Sequence, residues 1–330
     1  MEFRTEVNLH MSNNKIGHHT SILMLGSCFA ENIGAELRNA KFNITVNPFG
    51  VLYNPQSISH ALDIISRNHQ FTENDIFHYN GLYHSYFHHG DFSDQDPALC
   101  LEKINTNIHA ASSQLPKTDV LIITFGTAYV YASKESGLVV GNCHKLPASH
   151  FCGYRMDVDS IVDMWSETIE KLRQIKPDLT IIFTVSPVRH LKDGAHDNQL
   201  SKSTLLLAID KLCSRYDNAT YFPSYEIVMD ELRDYRFYAE DMSHINSIAI
   251  KYIWEKFREV YFSSETDSII NEWNKIYMAI NHRPFNPQSS EYKHFLKQTL
   301  LKVEGFQRKY PYIYCEKEII FLNESLKGIV

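Results

Sequence analysis

The sequence predicts an α/β protein: a three-layer α/β/α sandwich on an open, doubly wound sheet of about five parallel strands, followed by a helical C-terminal appendage. Three observations carry this. Short β-rich apolar runs alternate with stretches of helical period between residues 20 and 260. The intervals between the runs are long enough for crossover helices. After residue 262 the strand pattern stops and only helical period remains. With 330 residues, 44% of them hydrophobic and 22% charged, the chain can bury one large core and an appendage.

"SILMLG" (21–26) reads as the first strand and "FAENIGAELRNA" (29–40) as the first helix. "FNITVN" (42–47) reads as a second strand, and a helix opens at Pro55 in "PQSISHALDIISR". "DVLIITFG" (119–126), "LTIIFTVSP" (179–187) and "ATYFP" (219–223) complete the five strands. Helices over 97–114, 156–176 and 199–216 show apolar residues three and four apart. Two segments break the alternation. Residues 68–96 are aromatic, polar and rich in turn formers, which predicts an inserted lobe; residues 129–154 read as an inserted hairpin. The expected organisation is therefore a catalytic domain over 1–262 with those two inserts, and a helical extension over 263–330 packed on it.

The net charge of −7 and the scattered basic residues leave no footprint for nucleic acid or an anionic membrane. There is no secretory signal pattern and no long apolar run, so a cytoplasmic protein without a membrane span is expected. Six cysteines without a C-x-x-C pair argue against a zinc knuckle or a disulfide scaffold. No cofactor is expected, and a neutral or small polar partner is expected.

In open parallel sheets ligands bind beyond the carboxyl ends of the strands. Gly26-Ser27-Cys28 ends the first strand, Gly126-Thr127 the third, and Ser186-Pro187-Val188-Arg189-His190 the fourth. Ser27 and Cys28 stand on a strand-to-helix turn, which exposes a nucleophile beside the free N–H groups of the first helical turn. The plainer alternative is a helix cap at Ser27 and a small buried thiol at Cys28. A general base and an orienting carboxylate are needed to activate either, and "DMSH" offers Asp241 and His244 at the loop before the last helix of the α/β part. The same D-x-x-H spacing occurs at Asp75/His78 and Asp193/His196, in the aromatic lobe and in a Gly-containing loop. His84 and His88, four apart in the lobe, suggest an aromatic rim lining a polar cleft, with no acidic residue at a spacing that would complete a metal site. Arg189 and His190 are placed to bind an anionic or hydroxyl-rich substrate group.

With "GSCFA" verbatim at Gly26–Ala30, and "NPFGVLYNP", "TFGTAYVY", "NCHK", "SPVRH" and "DMSH" downstream, the chain resembles the GSCFA proteins within the SGNH/GDSL hydrolase superfamily. The resemblance covers most of residues 20–260. It implies a flavodoxin-like three-layer fold and ester chemistry on a small-molecule or carbohydrate ester, either hydrolysis or transfer of an acyl group from a donor to an alcohol. A binding module on the same fold is the non-catalytic alternative. Gly26-Ser27-Cys28 stands where the superfamily has Gly-Asp-Ser, so Cys28 takes the nucleophile's place and Ser27 that of the Asp. Ser27 becomes the nucleophile if the turn is shifted by one residue. His244 and Asp241 match the terminal Asp-x-x-His pair. Gly50, Gly126 with Thr127, and Asn142 are carried over as the oxyanion-hole region, although the superfamily's Asn is absent after Gly126. His144 and His84, with Arg189 and His190, are expected around the substrate. The helix N-terminus and a nearby imidazole are expected to favour a Cys28 thiolate.

Overall fold

A computed structural model describes residues 4–328, and the expected alternation is present in it. The first unit takes in residues 21–34 and 44–256 together with the N-terminal arm. Along the chain the elements run β1 (Ser21–Gly26), α1 (Cys28–Asn39), β2 (Asn43–Val46), α2 (Pro55–Arg67), β3 (Phe77–Tyr79), β4 (Leu82–His84), α3 (Pro97–Gln114), β5 (Val120–Phe125), β6 (Tyr129–Ser133), β7 (Phe151–Arg155), α4 (Val158–Ile175), β8 (Thr180–Val185), α5 (Ala195–Arg215), β9 (Ala219–Phe222), the short α6 (Ser224–Glu226) continued by a π turn over Ile227–Leu232, and α7 (Ser247–Tyr261).

Five strands form a parallel sheet in the order β2-β1-β5-β8-β9. Alternate side chains of the central strands face opposite layers, as the strand period of two requires. Leu23, Leu25, Leu121, Ile123, Ile181 and Phe183 join one apolar cluster with residues of α2, α3, α4 and α5. Ile22, Met24, Ile122 and Ile182 point the other way and are as fully covered. Phe29, Ala30 and Ile33 of α1 and Ala249 and Ile253 of α7 are likewise buried and stand outside that cluster. A strand buried on both faces reads as a continuous apolar run, which is why β1, β5 and β8 are plain in the sequence.

The helix ends follow local chemistry. Asn54 caps α2 through Oδ1 at 2.8 Å from the Ser57 N–H, with Pro55 in the first helical position. Asp96 and Asp157 cap α3 and α4 in the same way. Of the two inserts, the one expected over 129–154 holds the antiparallel pair β6–β7, which ends one residue later at Arg155, and residues 68–96 contain the small hairpin β3–β4.

The second unit comprises residues 11–20, 35–43 and 257–328, so it takes in two N-terminal segments besides the expected C-terminal helices. Its helices are α8 (Ser264–Ile280), α9 (Ser290–Lys309) and α10 (Glu316–Lys327), packed around Trp273, Leu296, Val303, Phe306 and Leu322. The Trp273 indole N–H donates to the Asn39 carbonyl at 2.7 Å, and Lys41 pairs with Glu318 at 2.6 Å. These contacts tie residues 35–43 to the helices, through polar partners that apolar periodicity does not report. Among the described residues no helix is long and apolar enough to cross a membrane.

Candidate active site

The turn after β1 is held from three sides. Gly26 pairs with Thr124 across the β1–β5 ladder and has φ +152°, and a Cβ at Gly26 would lie 2.4 Å from the Thr124 carbonyl oxygen. Only glycine lets β1 end this close to β5. Asn47, itself left-handed at φ +47°, donates its N–H to Met24 O and accepts the Gly26 N–H on Oδ1, both at 2.8 Å. The Leu52 N–H then donates to the Gly26 carbonyl at 2.9 Å. The segment "NPFGVL" thus acts as a latch on "GSC", a physical reason for the two motifs to occur together.

This latch separates the two candidate nucleophiles. Ser27 is 1% exposed, and its Oγ accepts the Phe29 N–H at 3.3 Å as a helix cap does. Cys28, the first residue of α1, is half-buried on the wall of a cavity of about 600 Å³. Burial pushes the Cys28 thiol up, more than the N–H groups of Phe29 and Cys28 and the charge of Lys202 pull it down. The expected thiolate is therefore corrected: desolvation outweighs the helix terminus, and the group is a thiol that needs a base.

Asp241 and His244 line the same cavity. Asp241 Oδ1 accepts the N–H groups of Ser243 and His244 at 2.9 Å each, and Oδ2 lies 2.5 Å from His244 Nδ1. These three hydrogen bonds hold the Asp241 carboxyl down at about 2, the backbone N–H groups contributing most. The spacing D-x-x-H lets one carboxylate close the turn and fix the ring. Met242 between them is left-handed at φ +54°, and the loop is closed by the Ala239 N–H donating to the His244 carbonyl at 2.8 Å. With Nδ1 engaged, His244 Nε2 is left without a partner among the described residues. Cys28 and His244 line the same cavity, and no hydrogen bond joins their side chains.

Other expected residues divide. Arg189 and His190, from the turn after β8, line the cavity, as do Thr127 and Asn142. Asn142 Oδ1 accepts the His144 N–H at 2.8 Å, which leaves its NH2 group available. The oxyanion assignment of Gly50, Gly126 and Thr127 does not survive as backbone donation. The Gly126 and Thr127 N–H groups both donate to the Tyr53 carbonyl, at 2.7 and 2.9 Å, and the Gly50 N–H donates to Asn47 O. Gly50 is instead a packing glycine, since a Cβ there would lie 2.3 Å from His89 Cβ.

His84 and His144, expected around the substrate, do not line the cavity. Their rings pack against each other, tilted by 37°, with 4.4 Å between centroids. His84 bonds Ser93 Oγ and the Tyr79 carbonyl, and His144 Nε2 lies 2.8 Å from the Ser85 carbonyl. Desolvation holds His144 at about 4. His88 is fully buried against Phe49 and held at about 3 by desolvation. The lobe contributes only His89 to the cavity wall. Among the described residues no group of three or more His, Cys, Asp or Glu side chains is arranged to hold a metal ion.

One residue at the site was not expected. Lys202 on α5 is fully buried, and its Nζ donates to the Gly126 and Ser186 carbonyls, each at 2.6 Å, joining the ends of β5 and β8. Desolvation brings the ammonium down to about 7, with the Arg189 charge acting in the same direction and Cys28 opposing. The sequence did carry a signal. Lys202 lies three, seven and ten residues before Leu205, Ile209 and Leu212, on the buried stripe of its helix.

A family model described as the GSCFA family matches residues 21–257, and one described as the GSCFA domain protein, C-terminal domain, matches residues 273–328. No curated protein matches the chain.

Proposed function

The chain belongs to the GSCFA family, and from that premise we propose that it is a cytoplasmic SGNH-type ester hydrolase working through a Cys28-His244-Asp241 acyl-enzyme mechanism. The observation that carries the proposal is the convergence on one cavity wall of a half-buried cysteine at a helix N-terminus and an imidazole whose Nδ1 is held by a carboxylate. His244 Nε2 takes the Cys28 proton as Sγ attacks the ester carbonyl carbon. A C–S bond forms while the carbonyl π pair moves onto oxygen. As that pair returns, the C–O bond breaks and the alkoxide leaves with the proton from His244. Water, deprotonated by the same nitrogen, then adds to the thioester, and Cys28 leaves as thiolate and is reprotonated. The Cys28 N–H and the Asn142 NH2 are the donors for the oxyanion. Protonated Lys202 stabilises the transient thiolate from beneath the turn.

An acyltransferase would use the same residues with an acceptor alcohol in place of water. The volume of about 600 Å³ favours keeping this second reading, because it can hold a carbohydrate acceptor beside an acylated Cys28. Release of nitrophenol from p-nitrophenyl acetate, with and without glycerol or a monosaccharide, tests both. Hydrolysis lost in Cys28→Ala and His244→Ala supports the hydrolase, and acetylated alcohol as the main product supports the transferase. Release by both variants at the wild-type rate would overturn the proposal.

A further inference from the structure

The charge on the cavity wall is one-sided. Arg189 and Lys192 line it, and Lys202 lies beneath it. Asp241 is the only carboxylate in the lining, and its charge is already taken by three donors on its own loop. Glu31, whose charge is felt by Cys28, is outside the lining. Among the described residues neither Arg189 nor Lys192 pairs with a carboxylate. The Arg189 guanidinium donates through Nη1 to the Met229 sulfur at 3.8 Å, where Arg189 also borders a second cavity lined by Asp234, Tyr235 and Tyr238, and its Nε is buried without a partner. His190 Nε2, beside it, is likewise buried and unbonded. A partly desolvated guanidinium with an orphaned N–H is costly to keep, and buried polar groups are ordinarily satisfied. A ligand oxyanion at the terminal nitrogens would give the guanidinium the counter-charge it lacks, since its planar donor set matches a carboxylate or a phosphate.

We propose that Arg189, supported by Lys192, forms an anion subsite beside Cys28, and that the natural ester carries a carboxylate or phosphate group next to its scissile bond. The second half of this rests on the ester chemistry proposed above; the subsite does not. Lys202 adds positive potential from below without touching the ligand.

The test needs no turnover. Cys28 is alkylated in the intact protein with iodoacetate and with iodoacetamide, which differ in charge, and the modified peptides are quantified against that of exposed Cys152. The iodoacetate-to-iodoacetamide rate ratio at Cys28 should exceed that at Cys152 and that of a free small thiol by about fivefold. It should fall towards the free-thiol value in Arg189→Gln, and part of the way in Lys192→Gln, whose side chain is exposed and safe for folding. A wild-type ratio no higher than that of the free thiol overturns the subsite. Should Cys28 resist both reagents, the nucleophile assignment fails, and the subsite is decided by thermal unfolding in inorganic phosphate against chloride at equal ionic strength. A rise in midpoint that Lys192→Gln and Arg189→Gln diminish supports it, and equal midpoints overturn it. Arms with acetate and with methyl phosphate separate a carboxylate preference from a phosphate preference.

Discussion

Asp241 Oδ2 and His244 Nδ1 lie 2.5 Å apart, while the other oxygen of the same carboxylate accepts two backbone N–H groups of the loop that carries the imidazole. The ring is thereby committed to presenting Nε2 to the cavity. Because both side chains are about half exposed, at 52% each, their removal should spare the core. We expect His244→Ala and Asp241→Asn to lower kcat/KM for an aryl acetate by about 10²–10⁴. Circular dichroism and thermal unfolding should show both variants folded. Full activity in Asp241→Asn would remove the orienting role.

Ser27 and Cys28 should separate by phenotype. Ser27→Ala deletes a buried cap and is expected to cost about 1 kcal/mol of stability with turnover retained. Cys28→Ala is expected to abolish turnover with a smaller effect on stability. Chemical denaturation alongside an esterase assay checks both, and the reverse pattern would reassign the nucleophile.

Gly26→Ala should be far more harmful than its size suggests. Its Cβ would meet backbone as well as side chain of Thr124 at a φ that L-residues rarely adopt. A loss of about 3 kcal/mol is expected, seen as a lowered midpoint in urea or as insoluble protein. A stability within 0.5 kcal/mol of wild type, roughly the scatter of neutral surface changes, would contradict the tight turn.

Lys202 predicts a pH signature. Its folded value of about 7 lies below the value of about 10.4 in an unfolded chain, so between those limits the unfolded state holds the extra proton. Stability contributed through this group therefore rises with pH across that window and is flat below it. Wild type should gain on Lys202→Met as unfolding is measured from pH 7 towards pH 10. Parallel profiles would mean that the ammonium stays charged in the fold. At neutral pH, Lys202→Met should also slow Cys28 alkylation, because the thiolate loses a positive neighbour.

The strands and most helices were legible because burial on two faces or one stripe writes itself into apolar period. β1 falls on 21–26 as expected, and α3 on 97–114. The candidate site was legible where side chains had to be brought to strand ends, as with Cys28, Arg189 and the Asp241–His244 loop. It was not legible where a polar residue type has two uses. His84 and His144 are histidines satisfied by carbonyls, a hydroxyl and each other's rings, which spacing cannot tell from ligand-facing ones. The carbonyl of Tyr53 takes up the N–H groups of Gly126 and Thr127, a backbone partnership that no side-chain pattern records. Lys202 was missed although its position on an apolar stripe marked it as buried.

In the proposed mechanism Cys28 carries the acyl group. Protein mixed with p-nitrophenyl acetate, quenched in acid within the first turnovers and digested, should yield the Cys28 peptide bearing one acetyl group, released by hydroxylamine under conditions that cleave thioesters. An acetyl group on Ser27, or steady turnover by Cys28→Ala with no adduct on the wild-type peptide, would contradict the account.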